Sequence, residues 1–180
     1  MEQLANEIAK RTLQLVDTGN PMPIVLIDGR SNSGKSTLAA EIQNIIFKDG
    51  ESAPRIIHMD DLYPGWDGLA AGAEYLQRVI LNPLSKNETA HWQEFNWATN
   101  QRETWREFSG GTPLIIEGCG SLNQQSAELA NIKIWLEVDE ETRHKRWLER
   151  EGSNEHWAEW AAQELDFYAR EKSAQLANIA

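Results

Sequence analysis

The sequence predicts an α/β fold in which a mainly parallel sheet carries helices on both faces. Two observations lead to this prediction. Short apolar runs, typical of buried strands, alternate with helical or irregular sequence, and this alternation favours parallel strands joined by helical crossovers. The first run is followed directly by a glycine-rich loop and then by a helical pattern, within residues 24–46. The 180 residues contain no linker rich in Pro, Gly or Ser, so we expect a single domain over residues 1–180.

Apolar spacing predicts the individual elements in order. Helices are expected at about 4–16, 37–46, 69–81, 139–150 and 154–172, because apolar residues recur there at helical spacing. Strands are expected at 24–27, 56–57, 114–116 and 132–138, with a fragment at Ile179-Ala180. The tryptophan-rich stretch 91–108, within the longer span 62–110, is expected to be less regular. A span this long between two strands of one sheet usually carries a substrate site.

Glycine, proline and short polar residues predict where the helices begin and end. The first helix should end near Gly19, the third at Asn82-Pro83 and the fourth at Gly152. Asp139 is better explained as the N-cap of the fourth helix than as a functional carboxylate, and Ser153 can cap the last helix. The inner face of that helix would use the following residues: Trp157, Trp160 or Ala161, Leu165 and Tyr168.

Composition excludes several classes of function. The chain has 17 Lys and Arg against 28 Asp and Glu, a net charge of −11, which argues against a nucleic-acid polymer as partner. The apolar runs are too short to span a bilayer and the acidic start lacks the regions of a signal peptide, so we expect a cytoplasmic protein with no membrane partner. The one cysteine, Cys119, excludes an internal disulfide and is better explained as a small residue in a Gly-Cys-Gly loop than as a nucleophile. The oligomeric state stays open.

A complete phosphate-binding motif, G-x-x-x-x-G-K-[ST], occupies residues 29–36 between the first strand and the second helix. Its glycines let backbone N–H groups turn towards an anion, Lys35 can reach the β and γ phosphates, and the Ser36 hydroxyl can bind Mg²⁺. The motif therefore predicts a nucleoside triphosphate, most simply ATP. We assign the loop and the residue after it to ATP binding: Gly29, Arg30, Ser31, Asn32, Ser33, Gly34, Lys35, Ser36 and Thr37.

Carboxylates follow two further strands, where ligands of parallel α/β sheets bind. Asp60 or Asp61 can supply the carboxylate that phosphoryl transfer to an alcohol needs, and Glu117 can assist magnesium binding directly or through water. Positive charge around the transferred group could come from Arg143, Arg146 and Arg150, which share one helix face. The same stripe is also typical of a solvated, salt-bridged surface that Glu140 and Glu141 could pair with.

Four stretches together resemble the uridine kinase group of P-loop kinases: residues 29–37, His58-Met59-Asp60-Asp61-Leu62-Tyr63, Ile115-Ile116-Glu117-Gly118, and 143–151. The resemblance covers most of the chain and implies a three-layer P-loop NTPase fold. It implies that Asp60 is the catalytic base and that Tyr63 lines the substrate pocket. It also implies that Glu117 serves the sugar and magnesium region, and that the arginine helix, about 139–156, forms a lid over ATP.

The chain departs from that group where the base would be read. The matching segment is 95–102, in which Phe95 lacks the family's tyrosine hydroxyl and Asn100 replaces a histidine. Residues 152–157 lack the family's usual Arg-Gly-Arg. Trp66, Trp92 and Trp97 could stack on a planar ligand or fill the core, and the sequence leaves both readings open. These departures weaken the prediction of the acceptor more than the prediction of the reaction.

The sequence thus predicts an ATP-dependent phosphotransferase that transfers the γ-phosphate to a hydroxyl of a small molecule, most plausibly a nucleoside. A kinase for a non-nucleoside sugar or alcohol, a nucleotide-binding regulatory protein without phosphotransfer, and a hydrolytic NTPase are the alternatives. Catalysis is assigned to Asp60, Lys35, Arg143 and Arg146, with Arg150 on the nucleotide and Mg²⁺ on Ser36, Asp60 and Glu117. The acceptor side, an insertion at about 62–110 plus one strand end, is assigned to Asp61, Tyr63, Trp97, Asn100, Arg102 and Glu117.

Overall fold

A computed structural model describes residues 1–50 and 52–179. The helices are α1 (Glu2–Asp17), α2 (Lys35–Lys48), α3 (Leu69–Leu76), α4 (Asn82–Ser85), α5 (Gln124–Leu129), α6 (Glu140–Glu151), α7 (Trp157–Glu171) and α8 (Ser173–Leu176). The strands are β1 (Ile24–Asp28), β2 (Arg55–His58), β3 (Ala90–Asn96), β4 (Gln101–Phe108), β5 (Leu114–Glu117) and β6 (Ile132–Trp135). A 3₁₀ turn spans Met59–Asp61 and a π turn spans Gln77–Leu81.

Four strands form a parallel sheet in the order β2-β5-β1-β6. The register pairs Ile27 with Glu117, and Glu117 with His58, so the carboxyl ends of β1, β5 and β2 lie side by side. Ile179 makes an isolated parallel bridge to Ile134, which agrees with the predicted strand fragment; its second residue, Ala180, lies outside the described residues. The predicted parallel sheet is confirmed.

Helices cover both faces of this sheet, as the sequence predicts. On one face, α1 and α2 bury Ile8, Leu38 and Ile42 against Val25 and Ile27 of β1. The other face buries a larger cluster from the remaining helices and β3, which includes the following side chains: Leu26, Ile116, Leu69, Leu76, Leu84, Trp92, Trp147, Trp160 and Phe167. All five residues of β1 are buried, because helices pack on both sides of it.

The tryptophan-rich stretch is more regular than predicted. Residues 90–108 form an antiparallel hairpin, β3 and β4, with a register irregularity between Glu94 and Phe95. On β3, Trp92 and Phe95 point into the core, while β4 is mostly exposed. An exposed strand shows little apolar alternation, and for this reason the sequence pattern did not reveal the hairpin.

The predicted helix stop at Asn82-Pro83 is wrong. The chain continues from α3 through the π turn into α4, and Pro83 lies in the first turn of α4. Proline is tolerated there because the first N–H groups of a helical segment need no intrahelical acceptor. The wider π turn thus lets the helical path pass a residue that ordinarily ends it.

The last two helices confirm some boundary predictions and correct others. The Asp139 carboxylate accepts the N–H of Thr142 at 2.8 Å, so Asp139 is the N-cap of α6, and Gly152 ends that helix with φ of 72°. Ser153 does not cap α7, which begins at Trp157; the Ser153 carbonyl instead accepts the indole N–H of Trp147. Leu165 is exposed rather than on the inner face, where Glu164 stands.

Candidate active site

The phosphate loop connects the carboxyl end of β1 to the first turn of α2. Gly29 and Gly34 have φ of 145° and 98°, a backbone conformation that favours glycine. A Cβ at Gly29 would lie only 2.4 Å from the carbonyl oxygen of Leu136. Lys35 is buried inside the loop, where its Nζ donates to the carbonyls of Gly29 at 2.8 Å and Arg30 at 3.1 Å. The backbone of the loop thus surrounds the Lys35 side chain and accepts its hydrogen bonds.

Two polar side chains of the loop are buried without a partner among the described residues. They are Nδ2 of Asn32 and Oγ of Ser33. Orphaned polar atoms are costly, and a ligand in the adjoining cavity could satisfy Asn32, which lines it, whereas Ser33 lies outside that lining. The first N–H groups of α2 also have no acceptor within the helix, and its dipole favours an anion at this end. These features fit a polyphosphate.

Burial alone would lower the pKa of Lys35, but the acidic groups around it outweigh that effect, and the pKa lies above its usual value. Lys35 is therefore a fixed positive charge at neutral pH. This charge lies within the phosphate loop and close enough to Glu117 and Asp28, at the ends of β5 and β1, to interact with them electrostatically.

Glu117, at the end of β5, joins the phosphate loop to β2. Its Oε1 accepts the hydroxyl of Ser36 at 2.9 Å and lies 2.6 Å from Nδ1 of His58. The hydrogen bond to Glu117 raises the pKa of His58 above its usual value, although partial burial opposes this. Ser36 and Glu117, both predicted to hold Mg²⁺, are therefore in direct contact.

Asp60 lies in the 3₁₀ turn after β2 and lines the same cavity as the loop. Desolvation within the cavity and the nearby charge of Glu117 raise the pKa of its carboxyl, while Arg150 and Lys35 act in the opposite direction. The main-chain carbonyl of Asp60 accepts the indole N–H of Trp97 at 2.9 Å. The turn is thereby tied to the tip of the β3–β4 hairpin.

A cavity of about 860 Å³ lies between the loop, the strand ends, α6 and α7. It is lined by the following predicted site residues: Ser31, Asn32, Gly34, Lys35, Ser36, Thr37, Asp60, Tyr63, Trp97, Glu117, Arg146 and Arg150. Its size falls within the range of small-molecule sites. The fold therefore brings most of the predicted phosphate, carboxylate and arginine groups to one cavity.

The donor set suits Mg²⁺ held together with a nucleotide. Among residues 1–50 and 52–179, no group of three or more His, Cys, Asp or Glu side chains is placed to hold a metal by itself. Mg²⁺ usually keeps several waters and is bound through one or two carboxylates plus substrate phosphates. The Ser36 hydroxyl, Glu117 and Asp60 supply that smaller set, so these residues fit a magnesium–triphosphate complex.

Several predicted site residues lie outside the cavity lining. Gly29, Arg30 and Ser33 form the underside of the loop, and Asp61 and Asn100 lie towards the hairpin. Arg102 donates to the carbonyls of Leu62 at 2.7 Å and Gln93 at 3.2 Å, and lies over the ring of Tyr75. Its guanidinium therefore fastens the hairpin to the segment after Asp60.

The three arginines of α6 occupy different environments. Arg143 is buried, with Nε donating to the carbonyl of Val138 at 3.1 Å and Nη1 to that of Ser31 at 3.5 Å. Arg146 and Arg150 are exposed at the cavity, and Arg146 donates to the carbonyl of Asn32 at 3.0 Å. Within the described part of the chain, none of the three pairs with Glu140 or Glu141. The predicted stripe is thus divided: Arg143 lies outside the cavity lining, Arg146 contacts the loop, and Arg150 makes a surface ion pair with Glu151 of the same helix at 2.7 Å.

The tryptophans divide between the two readings that the sequence left open. Trp66 and Trp97 line the cavity with ring centroids 5.0 Å apart, whereas Trp92 is buried in the core. Sequence reasoning missed Trp147 and Trp160 as cavity residues.

Tyr63 lines the cavity, but its hydroxyl donates to the carbonyl of Cys119 at 2.7 Å. Burial raises the pKa of the Cys119 thiol, which agrees with a structural rather than a nucleophilic cysteine.

Sequence reasoning also missed two buried carboxylates beneath the loop. Asp28, at the end of β1, accepts the N–H groups of Gly29 and Leu122 and the hydroxyl of Tyr168. Glu164 of α7 accepts the N–H of Ser31. Each interrupts an apolar pattern, Asp28 at the end of a buried run and Glu164 within the inner stripe of α7. An acidic residue at an inner-face position was the available signal.

Asp28 makes the stability of the fold depend on pH. Burial raises its pKa from 3.8 to about 6, although three hydrogen bonds act in the opposite direction. Between these values the folded protein holds a proton that the unfolded chain releases, so this contribution to stability is present below pH 3.8 and is lost as pH rises through about 6. The shift corresponds to about 3 kcal/mol.

Asp28→Asn should remove this dependence, because the amide does not titrate. We expect the free energy of unfolding of the wild type, minus that of Asp28→Asn, to fall by about 2.5 kcal/mol between pH 4 and pH 7 in urea titrations. Asp17→Asn, at an exposed position of α1, is the matched control. A difference that stays constant with pH would contradict this role of Asp28.

No protein-family model matches the sequence, and no curated protein matches it either. Solved structures do match it. A structure named a possible uridine kinase from Bacillus stearothermophilus superposes with a TM-score of 0.69 at 19% identity, covering 99% of this chain and 98% of that one. A candidate fructose transport system kinase from Silicibacter sp. TM1040 gives 0.67 at 21% identity, covering 98% and 96%. The chain shares the fold of these proteins.

No helix in the described residues is long and apolar enough to cross a membrane.

Proposed function

We propose that this protein is an ATP-dependent phosphotransferase that transfers the γ-phosphate to a hydroxyl group of a small molecule. One observation carries the proposal: a phosphate loop and a strand-end carboxylate, Asp60, line the same cavity of about 860 Å³. A hydrolase needs only to position water, whereas this cavity has room for a second organic ligand. The likeness in fold to structures named as kinases supports the same reaction class.

On the phosphate side, the loop N–H groups and Lys35 would bind the triphosphate, and Arg146 and Arg150 of α6 would stabilise charge on the transferred group. Ser36, Glu117 and Asp60 would hold Mg²⁺, which neutralises phosphate charge when bound. We propose that residues 139–156 act as a lid, because α6 brings two exposed arginines to the cavity beside the loop. Closure would exclude water from the transfer.

On the acceptor side, Asp60 would accept the hydroxyl proton as the oxygen attacks the γ-phosphorus. A base must be deprotonated and within hydrogen-bond reach of that proton. The 3₁₀ turn and the hydrogen bond from Trp97 fix the main chain of Asp60. The segment 62–110 would supply much of the acceptor wall, with Trp66 and Trp97 in the lining.

The acceptor is most plausibly a nucleoside, with a free sugar or another alcohol as the alternative. Aromatic walls bind flat bases and the apolar faces of sugars alike. The alternative is favoured by one observation: Asn100 and Arg102, which the resemblance places beside a base, are absent from the cavity lining.

ADP release measured with ATP and Mg²⁺ tests the reaction against a panel of nucleosides, sugars and other alcohols. We expect release only with an acceptor present, together with a phosphorylated product detected by mass spectrometry. Release without any acceptor would identify a hydrolase. Binding of ATP without release for any panel member would favour a nucleotide-binding regulatory protein.

A further inference from the structure

A buried carboxylate of α7 holds the underside of the phosphate loop. Glu164 is 0% exposed, and its Oε1 accepts the main-chain N–H of Ser31 at 2.6 Å. Its Oε2 accepts Nε of Arg30 at 2.9 Å and lies 3.9 Å from Nη1 of Arg143. The thiol of Cys119 lies 3.4 Å from Oε1. One carboxylate therefore contacts the loop's main chain, a loop side chain and the arginine in the first turn of α6.

These contacts hold Ser31 at both of its main-chain polar groups. Glu164 accepts the N–H, and Nη1 of Arg143 donates to the carbonyl at 3.5 Å. A carboxylate buried this completely is tolerated only when it is paired and hydrogen-bonded, and two arginines and an amide provide that here. The conformation of the loop at residues 30–31 is thus set by α7 and α6 together.

The same face of α7 also reaches the acceptor wall. Trp160 lines the cavity, and Nε2 of Gln163 donates to the carbonyl of Trp66 at 2.6 Å. One helical turn after Glu164, the Tyr168 hydroxyl donates to Asp28 at 2.7 Å. The helix that supports the loop therefore supports the opposite wall as well.

We infer that Glu164 is a positioning residue: it holds Arg30 and Ser31 in the conformation that lets the following loop N–H groups converge on a triphosphate. The inference rests on the proposed function, since it concerns the support of that same phosphate site. Glu164 does not line the cavity, so it acts through the loop rather than on the ligand.

If Glu164 affected binding only through its charge, the substitution Glu164→Gln would change the triphosphate Kd in one direction. If Glu164 positions the loop, the same substitution would change the Kd in the opposite direction. A buried negative charge near an anion site repels the anion, so its removal alone would strengthen triphosphate binding. Loss of positioning would weaken binding, because the amide of Glu164→Gln must place its NH₂ donor either against the two guanidinium groups or against the N–H of Ser31. The direction of the change in Kd therefore separates the two effects.

The test is isothermal titration of wild type and Glu164→Gln with a non-hydrolysable ATP analogue and with inorganic tripolyphosphate, well below the thermal midpoint of each protein. We expect the Kd of both ligands to rise at least tenfold in Glu164→Gln. Glu159→Gln makes the same chemical change at an exposed position of α7 and should leave both values unchanged.

Glu164→Asp keeps the charge and shortens the side chain. It therefore tests the inference even if Glu164→Gln does not fold. Positioning predicts weaker binding in Glu164→Asp than in wild type, whereas an effect of charge alone predicts no change. Binding equal to wild type in Glu164→Asp, or equal or tighter binding in a folded Glu164→Gln, would overturn the inference. A wild-type protein that binds neither ligand would instead reject the proposed function.

Discussion

Replacing Asp60 by asparagine is expected to lower turnover by about 10²–10⁴-fold, the usual contribution of a general base. Asparagine keeps the shape of the side chain but cannot accept the hydroxyl proton. The fold should persist, because Asp60 is solvent-accessible at the cavity and the hydrogen bond from Trp97 goes to its main-chain carbonyl, which the substitution leaves in place. The measurement is kcat with saturating ATP and the best acceptor of the panel.

Binding of the non-hydrolysable ATP analogue separates this effect from damage to the nucleotide site. We expect its Kd to change little in Asp60→Asn, since the phosphate loop supplies most of the contacts. Asp67→Asn, a nearby exposed aspartate outside the cavity lining, is the control and should keep wild-type turnover. Full turnover in Asp60→Asn would reject Asp60 as the base and make Asp61 the next candidate.

Gly29→Ala should have the second large effect, this time on both folding and nucleotide binding. The new Cβ would lie 2.4 Å from the Leu136 carbonyl oxygen, a main-chain atom that cannot move aside alone. Overpacking of this kind typically costs about 1–3 kcal/mol, and an alanine at positive φ adds about 1–2 kcal/mol. We expect the free energy of unfolding to fall by about 3 kcal/mol and triphosphate binding to be lost.

Gly111→Ala is the matched control for this change. Gly111 also has a positive φ, 85°, but nothing lies within 4 Å of its hypothetical Cβ. It should lose only about 1 kcal/mol and bind the ATP analogue as the wild type does. Urea denaturation and calorimetric titration of both variants check the comparison. Equal losses in the two variants would show that backbone strain alone, rather than the contact with Leu136, limits residue 29.

The sequence predicts the phosphate loop, the sheet and the strand-end carboxylates because each depends on residues that are close together in the chain. The strand, loop and helix of residues 24–48 form one local unit, and a carboxylate after a buried parallel strand must lie at the ligand-binding edge. Asp60 and Glu117 could be assigned to one cavity for this reason. The order of the strands in the sheet then sets which other strand ends lie beside Asp60 and Glu117 in that cavity.

What the sequence does not predict depends on contacts between distant segments. Glu164 meets Arg30 across 134 positions of sequence, and no local pattern shows that an acidic residue on α7 belongs beneath the loop. Arg143 and Arg146 share a helix face, yet Arg143 is buried between the loop and Glu164 of α7 whereas Arg146 is exposed at the cavity. The β3–β4 hairpin was missed since one of its strands faces solvent.

The lining of the cavity has an evolutionary consequence. In the proposed assignment most phosphate contacts come from one short contiguous stretch, residues 29–37, so a single replacement such as Gly29→Ala is expected to abolish them. The aromatic lining of the cavity, Tyr63, Trp97, Trp147 and Trp160, comes from separate segments of the chain. Under the proposed function, acceptor preference would therefore drift by small changes in any one segment while the phosphate loop is inherited intact. Related chains with the same loop are expected to diverge first in these aromatic positions.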